Sequence, residues 1–423
     1  MKAPSRYNTW VIPLSYAVGA VVIGLGFPRL EVRVFHGLTS TITIPAAMAI
    51  YSSIASGMLA LSGVVFSLAF VMIQFSATAY SPRLVLWISR DPFMWHAVGV
   101  FTATFLYALA ALSWVDRNAS GKVPFISSWM VLGLLLASVA MFVGLIQRIG
   151  LLQINRMLNF TGDQGRKVIE AVYPQVDSAD AACAPKQLPS LPLTQTHIHR
   201  AGPRVIQALD TGALVRLAKA SGGVIEMVAA VGDTVIDLTP VLHVYGARQP
   251  IDDKALTRAI EMGEQRTFEQ DPKYAIRLLV DIAIKALSPA INDPTTAVQA
   301  LNQIEDLLLR LGCRCLEIGE FRDSEGQLRL VVPYPNWEDF LRLALDEIRY
   351  CGAHSVQVMR RMMALVNDLI IRLPENRDPA LLHWEERLQT TIARSFEDLE
   401  EKQEASVEDR QGLGVPRKLP AKV

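Results

Sequence analysis

PAAMAIYSSIASGMLALSGVVFSLAFVMIQFSATAY, residues 45–80, holds no charged side chain, and the uncharged interval around it runs from Arg33 to Arg83. Helices of soluble domains keep a polar face in water. A run this long without charge reads instead as a membrane segment, for which about 20 apolar residues suffice. At 1.5 Å per residue it forms a helix of about 54 Å, against a hydrocarbon core of about 30 Å. The helix must project beyond the bilayer, tilt strongly or break. Pro45 suits a first helical turn, and Pro82 ends the pattern at Ser81. Gly57 and Gly63 are the weak points. The favoured arrangement is an outer extension from Pro45 to about Gly57, followed by the true span.

Working outward, three more apolar runs are long enough to cross: Trp10 to Phe27, roughly Met94 to Val115, and roughly Phe125 to Gln147. The first continues past the small residues Ala17-Val18-Gly19-Ala20, where a leader would be cut, so it reads as an uncleaved anchor. Trp10, Trp95, Trp114 and Trp129 fall at the ends of these runs, as interfacial anchors do. Apart from end positions no Asp, Glu, Lys or Arg lies inside a run, which argues against a coupled pump.

The formal charge of zero hides an asymmetry. Of the 41 basic and 41 acidic side chains, residues 1–157 hold ten basic and three acidic ones, a surplus of seven; the remainder carries the opposite surplus. With 51% hydrophobic and 19% charged residues, the composition excludes a disordered, collagen-like or disulfide-stapled chain. The positive side chains orient the runs. With the N-terminus inside, the inner flanks hold Lys2, Arg6, Arg83, Arg90, Arg148, Arg156, Arg166 and Lys167, and the outer flanks Arg29, Arg33, Arg117 and Lys122. Eight against four predicts both termini on the cytoplasmic side of a bacterial inner membrane. The asymmetry then marks a domain boundary near residue 157 and removes the case for a nucleic-acid partner.

The long run carries a stripe. Ser53, Ser56, Ala60, Gly63, Ser67, Phe70 and Gln74 recur at alternating spacings of three and four, which places small and polar residues on one helical face. Close helix packing accounts for such a face, because small residues let backbones approach. The sharper reading is a pore lining with Phe70 as its constriction. Both hold together if the packing partner is another copy around an axis. After the run, Arg83 and Arg90 lie seven apart, opposite Leu84, Trp87 and Ile88, as in a short amphipathic piece at the inner interface that holds lipid headgroups.

The rest reads as a mainly helical α+β cytosolic domain. Residues 158–203 form a linker, with 174–203 a loop. A small α+β unit spans 204–250, a mainly helical domain with one hairpin spans 251–405, and the tail 406–423 is disordered. Strands are expected at Val205–Leu209 and Val224–Val231 around a helix Thr211–Ser221, and a hairpin at Cys313–Phe321 and Gln327–Val332. Helices follow Asp271-Pro272 and Asn292-Asp293-Pro294, each a cap and first-position pair. Trp337–Cys351, Ser355–Leu373 and Pro379–Ala405 close the domain. His197 and His199 lack companions of metal-ligand spacing, and the four cysteines form no framework, so neither metal nor cofactor is expected.

The most singular segment is Ala286–Ala297, LSPAINDPTT at its centre. It reads either as a tight helix–helix corner or as a small-anion site, in which free N–H groups at a helix start act with Arg277, Ser288, Asn292, Asp293, Thr295 and Thr296. Together with Ser62–Ser67, Phe75–Arg83, Phe101–Tyr107, Gly232-Asp233, Asp271-Pro272 and Ile348-Arg349, this corner resembles a bacterial family of uncharacterised membrane proteins known as domain of unknown function 2254. The resemblance covers nearly the whole chain. It implies a multi-spanning protein with a soluble C-terminal domain and no catalytic residues. One departure is Leu238, where the family's turn has glycine.

No phosphate loop, zinc-protease helix, nucleophile elbow or dinucleotide fingerprint is present, so an enzyme is not expected. Two function classes remain. One is a homo-oligomeric ion channel or passive transport protein gated by its cytosolic domain. The other is a membrane-anchored ligand sensor or scaffold without transport.

Overall fold

In a computed structural model the described residues are 10–34, 42–79, 92–116, 123–149, 154–175 and 191–414. They divide into two compact units with the boundary between Gln153 and Ile154, close to the charge boundary near residue 157. The fold is four apolar N-terminal helices followed by a mostly helical unit with two sheets.

The first unit comprises α1 (Val11–Val34), α2 (Ile44–Ala79), α3 (Pro92–Leu112) and α4 (Phe125–Ile149). Each contains a stretch long and apolar enough to cross a membrane. α3 is the hub and packs against the other three. Its sequence explains why: Ala97, Gly99, Ala103, Ala108 and Ala111 leave little side chain between backbones, and all are buried. Gly99 lies so close to α1 that a Cβ there would stand 2.7 Å from the Tyr16 ring, and Gly24 meets Ala110 in the same way. Hydroxyls complete the seams. Thr104 and Ser138 hydrogen-bond between α3 and α4 at 2.8 Å, and Tyr51 and Ser128 join α2 to α4 at 2.5 Å.

α2 is one unbroken helix of 36 residues. Of the three alternatives, a break at Gly57 or Gly63 does not occur, and the apolar stretch of spanning length begins at the first residue, Ile44, and not after an extension to Gly57. α1 outlasts its expected end at Phe27 and passes through Pro28 to Val34. The proline's missing N–H faces the preceding turn, and the lipid-length helix tolerates it.

In the second unit, α5 (Ile154–Val172) and β1 (Leu193–Ile198) occupy what reads as linker and loop. α5 is strongly amphipathic and buries Leu158, Gly165, Val168 and Ile169 against the helical core. β1 is short and follows a proline-rich stretch. Only its pairing with β5 (Pro240–Tyr245) defines it. β2 (Arg204–Leu209), α6 (Thr211–Ser221), β3 (Val224–Met227) and β4 (Thr234–Val235) follow, with α7 (Asp253–Arg258) and β6 (Ile260–Gly263) after β5. α6 is bounded by Asp210, which caps Ala213 N–H, and by Gly222 in the left-handed region.

The hairpin β7 (Glu320–Arg322) and β8 (Leu328–Val331) does not stand alone in the helical part. It joins the α+β part, where β8 runs parallel to β3, giving a five-stranded sheet of order β1-β5-β3-β8-β7. A second sheet, β4-β2-β6, is antiparallel. Residues 204–250 are therefore not an independent unit. One apolar core of Ile206, Leu214, Ile225, Leu242, Leu256 and Leu330 ties the early strands to the late hairpin. Cys313 and Cys315 lie before β7, not in a strand.

The helical layer is α8 (Pro272–Ala286), α9 (Pro294–Gly312), α10 (Trp337–Cys351), α11 (Val356–Arg372), α12 (Asp378–Ser395) and α13 (Leu399–Ser406). α9 is central, buries an apolar face and packs against α5, α8 and α11, with Arg361 of α11 paired to Glu305 and Arg166 of α5 to Asp306. The last expected helix is two. Phe396 turns extended and buries its ring, and Asp398 caps a new start by accepting Glu400 N–H. The tail beyond Ser406 is also ordered as far as Gly414. Arg410 grips Asp368 of α11 through two hydrogen bonds of 2.7 and 3.0 Å. Residues 415–423 lie outside the described residues.

Candidate functional site

Ser53, Ser56, Ala60, Gly63, Ser67, Phe70 and Gln74 are all exposed on the first unit. The opposite face of α2 is the one its neighbours use: Ala47, Tyr51, Ala55, Met58 and Val65 are buried. A Cβ added at Gly57 or Gly63 would meet nothing within 4 Å. Close packing inside the first unit thus involves Gly24, Gly99 and the alanines of α3, while the stripe from Ser53 to Phe70 is exposed along α2. Phe70 is 69% exposed. Arg83 and Arg90, the pair expected at the inner interface, fall outside the described residues.

One end of this unit holds a feature that the sequence reading passed over as an end position. Glu31, near the end of α1, is 5% exposed. Its carboxylate accepts from Ile126 N–H at 2.8 Å, from Ser127 N–H at 3.2 Å and from the Ser127 hydroxyl at 3.0 Å. These are the first-turn donors of α4, which have no partner within their own helix. A carboxylate also suits the positive end of the helix dipole. Glu31 therefore caps α4 from another helix. The sole clue in the sequence was a lone acidic residue beside a span.

In the second unit the Ala286–Ala297 corner folds as a corner. Asp293 accepts Thr296 N–H at 3.1 Å and the Thr296 hydroxyl at 2.5 Å. Asn292 adopts φ 49°, a conformation asparagine tolerates. The N–H groups of Ile291 and Asn292 donate to Ser288 O, and that of Asp293 to Ala286 O. The Ser288 hydroxyl donates to Lys285 O at 2.7 Å. Thr295 is exposed at the surface. Arg277 is not gathered with these residues. It pairs with Asp281 at 2.7 Å and forks onto Glu347 of α10, whose carboxyl it holds below the usual range.

Two motifs far apart in the chain do meet, at the other end of α8. Asp271 stands at the N-cap position, yet its side chain makes no capping bond. It is 2% exposed and is taken by Arg266, which donates Nε to Oδ2 at 2.7 Å and Nη2 to Oδ1 at 2.9 Å. Burial pushes the Asp271 carboxyl up, and Arg266 opposes this. Gly232, at φ 91°, passes so close that a Cβ would stand 2.3 Å from Asp271 Oδ2. Only glycine fits there, in both conformation and space. Lys273 Nζ reaches to 4.0 Å from Asp233. The Gly232-Asp233 and Asp271-Pro272 motifs are thus two halves of one junction.

A small crevice opens beside the junction, lined among others by Tyr173, Val231, Asp271, Lys273, Pro333 and Tyr334. Tyr173, just past the end of α5, is completely buried, edge-on to Tyr334 and Phe340 with centroids 6.2 and 6.1 Å away. Burial first, then Tyr334 and Asp271, pushes its phenol up. His197 and His199 have separate partners. His197 stands 3.1 Å from Asp253, and His199 stands 2.9 Å from Gly202 O.

Three membrane-length helices packed on a fourth, the small-residue hub α3, and followed by a second compact α+β unit are the architecture of a membrane protein. The chain belongs to the family described as "Predicted membrane protein (DUF2254)", whose model matches residues 6–368. It is similar to the uncharacterized protein Rv1290c of Mycobacterium tuberculosis, at 26% identity over 85% of this chain and 71% of the relative. The uncharacterized protein Mb1321c of Mycobacterium bovis matches to the same extent. No solved structure matches the chain.

Proposed function

We propose that the chain forms a homo-oligomeric ion channel or passive transport protein of the bacterial cytoplasmic membrane, gated by its C-terminal unit. The observation that carries this reading is the outward stripe. α2 commits one face to α3 and leaves Ser53, Ser56, Ala60, Gly63 and Ser67 uncovered. Small and hydroxyl residues are what close subunit contact or a wet lining requires, whereas lipid contact favours bulk. The orientation with both termini inside rests on the count of positive flanking residues. The absence of a charged side chain between Arg33 and Arg83 suits a passive route over a coupled one.

Purified protein in liposomes should pass ions, and Ala60→Trp should abolish the flux while leaving the thermal midpoint in detergent unchanged. Wild-type protein that conducts nothing across a panel of ions removes the proposal. A second reading, an anchored ligand sensor or scaffold, has one observation in its favour: the C-terminal unit carries its own continuous core. In that case Ala60→Trp has no phenotype, and the unit binds its partner without the spans.

A further inference from the structure

We propose that the crevice between Tyr173 and Asp271 is a binding site for a single buried water, which secures the end of α5 to the start of α8. The Tyr173 hydroxyl is enclosed by protein and makes no hydrogen bond to any protein group. Buried hydroxyls are almost always bonded, and leaving one unbonded is destabilising. The crevice that Tyr173 lines has a volume of about 10 Å³, the room one water needs. Asp271 and Tyr334 line the same crevice and lie within electrostatic reach of the hydroxyl. Arg266 uses one lone pair on each Asp271 oxygen and leaves others to accept.

The chemistry selects water over an anion. Asp271 and Arg266 already balance each other, so an anion would stand against a buried carboxylate that burial itself disfavours. Water can accept from Tyr173 and donate to Asp271 at once. It would join three segments: the end of α5, the Asp271-Pro272 start of α8, and the Pro333–Pro335 stretch after β8. This rests on the geometry of the second unit alone and stands whether or not the chain conducts.

Tyr173→Phe in the full-length chain tests it by sign. The ring and its contacts remain and only the hydroxyl goes. Loss of a water-bonded hydroxyl should lower the thermal midpoint of the second unit by about 2–4 °C, followed through Trp337 and Trp384 fluorescence. An unchanged or raised midpoint means that the hydroxyl had no partner and overturns the proposal. Exchanging chloride for gluconate at constant ionic strength should leave the wild-type midpoint unmoved. A chloride-dependent rise that Tyr173→Phe abolishes assigns the site to an anion and equally overturns it. Should the variant fail to fold, a structure of the wild-type chain at water-resolving resolution decides, through the presence or absence of an oxygen within hydrogen-bonding distance of Tyr173 Oη.

Discussion

Glu31 illustrates how much one side chain can do where water is scarce. A helix start near the end of a span cannot rely on solvent for its free N–H groups, and each unsatisfied group is expensive there. Glu31 meets the Ile126 and Ser127 groups with one carboxylate and fastens α1 to α4 in doing so. Glu31→Ala should destabilise the first unit by about 2–3 kcal/mol, the scale of losing charge-assisted bonds and a cap together. Glu31→Gln, which keeps one acceptor oxygen, should recover part of the loss. Thermal unfolding in detergent measures both. Asp323, in the turn between β7 and β8, is a second enclosed carboxylate, here outside the spans. Its hydrogen bond from Arg329, with help from Glu325 and Gln327 N–H, holds its carboxyl down at about 2. The unfolded value is about 3.9. A depressed carboxyl contributes stability that is complete above the unfolded value and lost as pH falls towards 2. Asp323→Asn should therefore flatten the acid limb of the second unit's stability curve between about pH 4 and 2. A limb of unchanged slope would show that Asp323 does not drive it.

At the scale of elements, small residues serve two opposite ends. Gly24 and Gly99 are small because another helix is there, and Gly57 and Gly63 are small with nothing there. Gly99→Ala should lower the thermal midpoint in detergent, since the new Cβ collides with the Tyr16 ring. Gly63→Ala should leave it unchanged or raise it slightly, because alanine is the better helix former. The spacing pattern placed the α2 stripe on one face but could not say which face met α3, because both faces contain small residues. Long periodic elements were legible for the same reason throughout: α6 and α10 were readable to the residue from caps and turns at Asp210, Gly222 and Asn336. Elements defined by long-range partners were not. β1 and β6 are short segments whose strand state depends on β5 and β2, and the split at Phe396 accompanies the burial of its ring. The junction at Asp271 was half legible. Both motifs stood out, but the cap position hid the role of its side chain, which Arg266 claims. Tyr173 carried no local signal at all.

For the molecule as a whole, the division at Gln153 and Ile154 has an energetic meaning: each unit closes its own apolar core. A chain beginning at Ile154 should be soluble and unfold cooperatively with chemical denaturant, with a midpoint independent of detergent. Aggregation of that fragment at low concentration would show that the first unit contributes to its core. The strap Val407–Gly414 belongs to this unit, since Arg410 engages Asp368 and Asn367 donates to Glu408 at 2.5 Å. Fragments that stop at Ser406 should therefore be less stable than fragments that continue to Val423.

The unbroken α2 has a mechanical corollary. A helix of 36 residues is a rod of about 54 Å, with its proline, Pro45, confined to the first turn and with Gly57 and Gly63 held in regular helix. A rotation of about 5° around one end carries the other end about 5 Å sideways, roughly the pitch of one helical turn. Tyr51 and Ala55 are held in one cluster and Val65 in a second, so α2 is fixed at two points along its length. A displacement begun at either point is therefore passed along the rod to the other, which couples the Tyr51–Ser128 hydroxyl contact to the packing around Val65.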